Sequence, residues 1–174
     1  MAWTSKILAL ACVCVVGICA YALYDFNGNS FDFSDREVIL VVTDSMDGDV
    51  HEFAIDSFPA NTLVMVQHLQ DNERRFLSEG DVISYKGSDN VLMHHRVIQV
   101  NSDSVYVHGD NNRATEKVYF EEINGKVVGT NSWLGSAMVL IQDHFVVFLA
   151  AMFVLCSALV VLGMYGKGYR EEAD

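Results

Sequence analysis

Four residues of this sequence have the types that an acyl-transfer reaction uses, and they lie in three short polar blocks. Ser45 follows an apolar run, His95 precedes an arginine and a valine, and Asp110 and Glu116 lie in and just after a Gly-Asp-Asn-Asn block. A serine hydroxyl is a weak nucleophile at neutral pH and needs a base within hydrogen-bond reach. An imidazole, with an ordinary pKa of ~6.5, can take that proton and return it to a leaving amine. The pattern therefore indicates nucleophilic serine chemistry, with His95 as the base and Asp110 or Glu116 as the acid that orients it.

Two residues near His95 compete for the role of base. His94 is adjacent, but successive side chains of a strand point to opposite faces, so only one of the two histidines can face Ser45. Lys86 would allow a Ser–Lys pair, but it precedes a glycine in a predicted turn. A lysine must be desolvated to lose its proton near neutral pH, and a turn keeps it solvated. Lys86 is therefore the weaker candidate.

The three blocks together resemble the signature of type I signal peptidases, in the archaeal and endoplasmic-reticulum branch that uses histidine where bacterial members carry lysine. The resemblance spans about Val38 to Gly129. It implies Ser45 as the nucleophile and His95, which the Arg-Val pair follows, as the general base. It also places Asp110 in the acidic region, and it puts Glu116 at the position, six residues further on, where the family carries a second aspartate.

The resemblance further implies an oxyanion site and a substrate pocket. The backbone N–H of Ser45 and the hydroxyl of Thr43 would stabilise the oxyanion, and Met46 would form a wall of the pocket. Each residue also has an ordinary structural interpretation: Thr43 as a strand threonine, Met46 as a core methionine, and Ser45 and Asp110 as turn residues. The chain departs from the family at Gly48, where a proline is usual, and at Glu116.

Several short β patterns position these blocks. A β-branched run from Val38 predicts a buried strand that ends at Ser45. Further strands are predicted at residues 63–66, 80–85, 91–93 and 125–130, and a hairpin at 97–107. A solvated turn or half-helix is predicted at 71–75, inside a long insert at 47–79. The sequence therefore predicts a mostly β domain, and the resemblance implies a coiled antiparallel β-sheet.

Two uncharged apolar runs, residues 7–24 and 145–165, are long enough to cross a bilayer as helices. The first is longer than the apolar core of a typical cleaved signal peptide, and tyrosines stand where small residues would mark a cleavage site, so an anchor is favoured. Basic residues flank the outer ends of both runs, at Lys6, Lys167 and Arg170. By the positive-inside rule both termini are then cytoplasmic and the intervening body is extracytoplasmic.

Composition narrows the possible partners and cofactors. The chain carries 11 Lys and Arg against 23 Asp and Glu, for a net charge of −12. Nucleic acid is an unfavourable partner for such a chain, because phosphate binding needs a basic face. All four cysteines lie in the predicted membrane segments, so neither a disulfide framework nor a zinc site is predicted; they are Cys12, Cys14, Cys19 and Cys156.

The sequence thus predicts an anchor at 1–25, a β-rich peptidase domain at 26–143, a second transmembrane helix at 144–166 and a tail at 167–174. The resemblance implies a multi-pass serine endopeptidase of the cell membrane, or of the endoplasmic reticulum in a eukaryote, without cofactor or metal. Its expected partners are signal peptides of secretory preproteins, membrane lipid and the protein translocation machinery. The alternative is a catalytically silent membrane-tethered β domain that serves as an assembly or substrate-binding subunit.

Overall fold

The computed structural model describes residues 13–14, 16–17, 30–87, 91–112 and 114–171, without the side chains of 160 and 162–171. The chain divides into two compact units. The first unit is Asn29–Val139, and the second is formed by the chain on either side of it. The three blocks that carry the predicted site all belong to the first unit.

Among the described residues of this first unit, eight strands form one antiparallel sheet, so the prediction of a mostly β, antiparallel domain is confirmed. Across the sheet the order is β1-β2-β3-β8-β4-β5-β6-β7, which places the last strand of the chain between β3 and β4. The strands are β1 (Ser30–Phe33), β2 (Arg36–Val41), β3 (Thr62–His68), β4 (Val82–Lys86), β5 (Leu92–Val100), β6 (Ser104–His108), β7 (Glu116–Tyr119) and β8 (Ile123–Asn131).

Both faces of the sheet carry buried apolar side chains. Val82 and Ile83 are adjacent in β4 and both fully buried, yet they belong to two different clusters, because successive side chains of a strand point to opposite faces. The first cluster contains Ile39, Val41, Met46, Phe58, Val64, Val66, Val82 and Val127. The second contains Leu77, Ile83, Tyr85, Val97, Val105, Val107, Val118 and Ile123. Burial on both faces explains why β4 carries the apolar residues Val82 and Ile83 at adjacent positions.

The strand that precedes Ser45 is shorter than predicted. β2 ends at Val41, and the backbone N–H of Asp47 donates to the carbonyl of Asp44 at 3.0 Å. This bond closes a β-turn in which Ser45 is the second residue. The prediction that Ser45 ends the strand was therefore wrong, because the polar residues after Val42 form the turn earlier than the apolar run suggests.

The other local predictions agree better with the structure. β3 covers the strand predicted at 63–66, and a short 3₁₀ helix, Arg74–Phe76, lies where a turn or half-helix was expected. β5 and β6 form the predicted hairpin, which the N–H of Asn101 closes by donating to the carbonyl of Ser104 at 2.8 Å.

Two helices follow the sheet, α1 (Ser132–Asp143) and α2 (Phe145–Glu171). No single helix in the described ranges has the length and hydropathy of a membrane span, although α1 and Phe145–Leu159 do as a pair, with a 90° bend between them. A crossing at 144–166 therefore stays a prediction. Of the predicted anchor at 1–25, only Val13, Cys14, Val16 and Gly17 are described, as helix; the rest lies outside the described residues.

Candidate active site

The turn that carries Ser45 is held against the loop that follows β6. The N–H of Asn111 donates to the carbonyl oxygen of Ser45 at 2.9 Å, and the Asn111 side-chain amide donates to the carbonyl of Asp44 at 3.2 Å. A Cβ atom at Gly109 would lie 3.2 Å from the Ser45 Cβ and 2.5 Å from its carbonyl oxygen. The structure therefore brings the serine block and the Gly-Asp-Asn-Asn block into direct contact.

A second contact between these two loops lies at Gly48. A Cβ atom at this position would lie 2.7 Å from the Asp110 Cβ and 2.8 Å from its carbonyl oxygen. A proline, or any residue with a side chain, would collide with Asp110 unless the loops moved apart. The departure from the signal-peptidase pattern at this position thus has a steric reason in this chain.

His95 lies in β5, next to Arg96. The β5–β6 register pairs Arg96 with His108, and its continuation by one residue puts Gly109 opposite His95. Residues directly opposite in an antiparallel pair have Cβ atoms about 5 Å apart on the same face. Ser45 packs on the bare Cα of Gly109, and this contact links the Ser45 turn to the strand position next to His95.

The ring of His95 is held by a tyrosine and not by a carboxylate. The Tyr85 hydroxyl lies 2.8 Å from Nδ1 of His95 and donates to Oε2 of Glu116 at 2.6 Å. The expectation that Glu116 contacts the imidazole directly is corrected, because the phenol of Tyr85 fills the space between them. Tyr85 is the residue at this site that the sequence did not reveal.

Burial is the main influence on the pKa of His95 and lowers it below its ordinary value. The carboxylates of Glu116 and Asp110 oppose that effect, and His108 adds to it. The neutral imidazole is the form that can accept a proton. Nε2 of His95 has no hydrogen-bond partner among the described residues. It is also not among the buried side-chain nitrogen and oxygen atoms of those residues that lack a partner. It therefore keeps contact with solvent.

His94 points to the opposite face, as the strand alternation predicts, and pairs in register with Ser84. Its Nε2 is buried without a partner, as is the hydroxyl of Ser84. Burial, and secondarily the charge of His95, lowers the pKa of His94 to about 4. The other rejected candidate, Lys86, is exposed at the end of β4.

Asp110 binds Arg96 and does not contact His95. Its carboxylate accepts two hydrogen bonds from the Arg96 guanidinium, at 2.8 and 2.6 Å, and a third from the Ser57 hydroxyl at 2.7 Å. The side chains of Arg96 and Asp110 are 3% and 0% exposed. Nη1 of Arg96 donates to the carbonyls of Ile55 and Gly80. This buried pair joins β5, the loop after β6 and part of the long insert, so Asp110 holds the loop on which Ser45 packs.

The two oxyanion candidates lie on the same turn. Thr43 is exposed, and its Oγ1 lies 3.4 Å from the Ser45 Oγ. The backbone N–H of Ser45 donates to no group in the part of the chain that the structure describes. Both donors are therefore available beside the nucleophile. Met46, in contrast, is fully buried in the first apolar cluster, so it is a core residue and not a pocket wall.

A groove of about 390 Å³ adjoins Ser45. It lies between the end of β2 and the start of β5, and most of its lining is apolar. The lining residues are Ile39, Leu40, Val41, Val42, Thr43, Ser45, Val91, Leu92, Met93 and His94. The groove gives the turn of Ser45 an extended apolar surface on which a chain could lie. Across the described residues, no group of three or more His, Cys, Asp or Glu side chains is placed to hold a metal ion.

No protein-family model matches this chain, and no curated protein matches it significantly. The signal-peptidase resemblance therefore depends on the three short blocks, and the geometry of the site has to be judged by its own chemistry.

Proposed function

We propose that this chain is a membrane-bound serine endopeptidase of the signal-peptidase type, which removes signal peptides from exported preproteins after small residues. The observation that carries the proposal is the packing of Ser45 on Gly109, the position that the β5–β6 register, continued by one residue beyond the Arg96–His108 pair, places opposite His95. A nucleophile, a neutral imidazole with a free Nε2 and two oxyanion donors then belong to one site.

The chemistry follows from these positions. His95 Nε2 takes the proton of the Ser45 hydroxyl as its oxygen attacks the substrate carbonyl, and the resulting imidazolium returns that proton to the leaving amine. The Ser45 N–H and the Thr43 hydroxyl stabilise the oxyanion, and one such donor is worth about 3 kcal/mol in comparable sites. Without substrate, Ser45 Oγ forms its hydrogen bond with Thr43 and not with His95. This is compatible with the mechanism, because catalytic hydrogen bonds commonly shorten only when substrate binds. Water then hydrolyses the acyl-enzyme with His95 again as base.

An open edge at the end of β2 supports an extended substrate in the groove. β1 pairs with Arg36–Ile39, so among the described residues Leu40 and Val41 pair only with β3. The carbonyl of Val41 accepts from Asn61 on the β3 side. Because backbone groups alternate along a strand, those of Leu40 point to the open side. A peptide can add there as a strand, with alternate side chains in the groove.

The flanking apolar segments support a membrane location. The chain continues from α1 into the apolar helix α2, and residues 7–24 form a second uncharged run. With basic residues at both outer ends, the proposed topology has cytoplasmic termini and an extracytoplasmic catalytic domain, in the cell membrane or in the endoplasmic-reticulum membrane. Substrates would then be signal peptides already inserted in the same bilayer, delivered by the translocation machinery.

The rival proposal is a catalytically silent subunit that binds preproteins, and it is favoured by the bond of Ser45 Oγ to Thr43 instead of His95. The deciding experiment is cleavage of a model preprotein by the full chain in liposomes. We expect processing by the wild type and by Ser102→Ala, an exposed serine in the β5–β6 turn, and none by Ser45→Ala. Equal processing by Ser45→Ala would overturn the serine mechanism, and binding without cleavage by the wild type would favour the silent subunit.

A further inference from the structure

We propose that Tyr85 is a positioning residue for the general base: its hydroxyl fixes the tautomer of His95 and links the imidazole to Glu116. This inference rests on the proposed function, because it assigns a role within the same site. In a direct Ser–His–acid arrangement the acid contacts the histidine. Here a tyrosine lies between them, so the order of the interacting side chains is serine, histidine, tyrosine, glutamate.

The two hydrogen bonds of the phenol determine which nitrogen of His95 carries the proton. A phenol has a single hydrogen, and Tyr85 donates it to Glu116 at 2.6 Å, a length typical of a bond from a hydroxyl to a carboxylate. The phenol oxygen can then only accept at its other contact, which is Nδ1 of His95 at 2.8 Å. Nδ1 therefore carries the hydrogen and leaves the lone pair on Nε2, as a general base for Ser45 requires.

Three strands position Tyr85, His95 and Glu116. None of these residues belongs to the turn that carries Ser45. Tyr85 comes from β4, where it pairs with Met93, two residues before His95 and on the same face of β5. Glu116 comes from β7, where it pairs with Val107 of β6. The relay therefore spans four adjacent strands, and the rings of Tyr85 and His95 pack at a centroid separation of 5.8 Å. Positions held by sheet register are more rigid than positions held by loops.

The surroundings keep the phenol protonated and able to donate. Burial, the hydrogen bond to Glu116 and the charges of Glu116 and Glu122 all raise the pKa of Tyr85. The titratable and charged groups that act on His95 come from every neighbouring element: Tyr85 on β4, His108 on β6, Asp110 in the following loop and Glu116 on β7. Among these, only Tyr85 contacts the imidazole by a hydrogen bond, so the hydrogen-bonded link between Glu116 and His95 runs through Tyr85.

The first test reads the tautomer of His95 directly. The full-length protein is labelled with ¹⁵N-histidine in detergent micelles, and the signals of His95 are assigned by their loss in His95→Gln. We expect a protonated Nδ1 and an unprotonated Nε2 in the wild type and in Tyr106→Phe, a matched change on β6. Tyr85→Phe should populate the Nε2-protonated tautomer. A protonated Nε2 in the wild type would overturn the proposal even if Tyr85→Phe failed to fold.

The second test separates this role from the proposed function. Tyr85→Phe should lower kcat for preprotein cleavage by about tenfold or more, with KM nearly unchanged, since a well-placed general base contributes ~10²–10⁴-fold. A wild-type kcat in Tyr85→Phe refutes the positioning role and leaves the peptidase standing. If the wild type shows the expected tautomer but cleaves no preprotein, the peptidase proposal fails and the hydrogen-bond assignment survives.

Discussion

Gly109 and Ser45 are in such close contact that no side chain fits between them. The atoms that a Cβ at position 109 would meet are the carbonyl carbon and oxygen and the Cβ of Ser45. Backbone atoms cannot rotate away as a flexible side chain can, so the contact can be relieved only by moving the turn. The glycine of the Gly-Asp-Asn-Asn block is thus needed for the docking of Ser45, the proposed nucleophile.

The first prediction concerns this contact. Gly109→Ala should displace the Ser45 turn and lower the cleavage rate by about 10²-fold, because a shift of about 1 Å at a reacting group has an effect of that order. Gly129→Ala is the matched control, since a Cβ at Gly129 meets nothing within 4 Å. Cleavage of a model preprotein by the two variants, with folding checked by circular dichroism, is the measurement. Near-normal cleavage by Gly109→Ala would show that Ser45 does not need this position.

The second prediction concerns the buried pair of Arg96 and Asp110. Asp110→Asn removes the charge that balances a guanidinium only 3% exposed, so the free energy of unfolding should fall by about 3–5 kcal/mol. Asp71→Asn provides the control: Asp71 forms a 2.9 Å pair with Arg74 but is 97% exposed, so its loss should change stability by at most about 1 kcal/mol.

Chemical denaturation of the full chain in micelles measures both effects. Glu116→Gln should leave the free energy of unfolding nearly unchanged, because Glu116 is exposed and glutamine can still accept from the Tyr85 phenol. An equally small effect of Asp110→Asn would mean that Arg96 finds other acceptors. A large loss of stability in Glu116→Gln would instead make Glu116 a structural residue.

The sequence predicted those parts of the site that depend on local pattern. Period-two alternation separated His94 from His95 correctly, and the β5–β6 hairpin followed from its turn residues. Tyr85 could not be predicted, because its contacts with His95 and Glu116 depend on how β4, β5, β6 and β7 pair in register, which is a non-local property.

The same limit applies to the turn around Ser45. The apolar run before it gave no sign that β2 stops at Val41. Nor could the sequence reveal that Gly48 faces Asp110, which lies more than sixty residues further along the chain. Met46 was ambiguous for a related reason: an apolar side chain beside a nucleophile can face a pocket or the core, and only the packing distinguishes them.

The third prediction is the pH dependence of cleavage. Burial lowers the pKa of His95 below the ordinary ~6.5. Protonated His95 cannot accept the Ser45 proton, so kcat/KM should fall with decreasing pH, with its midpoint below ~6.5. In Glu116→Gln the loss of a charge that raises the pKa of His95 should move the midpoint lower still. A pH series of initial cleavage rates tests this, and a midpoint above that of free histidine would contradict the burial argument.

The last prediction concerns stability and His94. Burial, with a smaller effect from His95, lowers the pKa of His94 to about 4, whereas the unfolded chain has the ordinary value of ~6.5. Between these values the unfolded state binds a proton that the native state does not, so stability is fully present above pH ~6.5 and is lost as pH falls through the window. From pH 7 to pH 5 this one group should remove about 2 kcal/mol from the free energy of unfolding.

His94→Leu isolates the contribution of His94 to the pH dependence of stability, because leucine is of similar size, is suited to a buried position and does not titrate. Urea denaturation of both proteins at pH 7 and pH 5 gives the two losses. We expect the wild type to lose more stability than His94→Leu, since only the wild type must keep His94 neutral in the core. Titration of His95 and of the acidic groups is common to both proteins and cancels in the comparison. Equal losses in the two proteins would mean that His94 can be protonated without unfolding the sheet, and that its face of β5 is open to water.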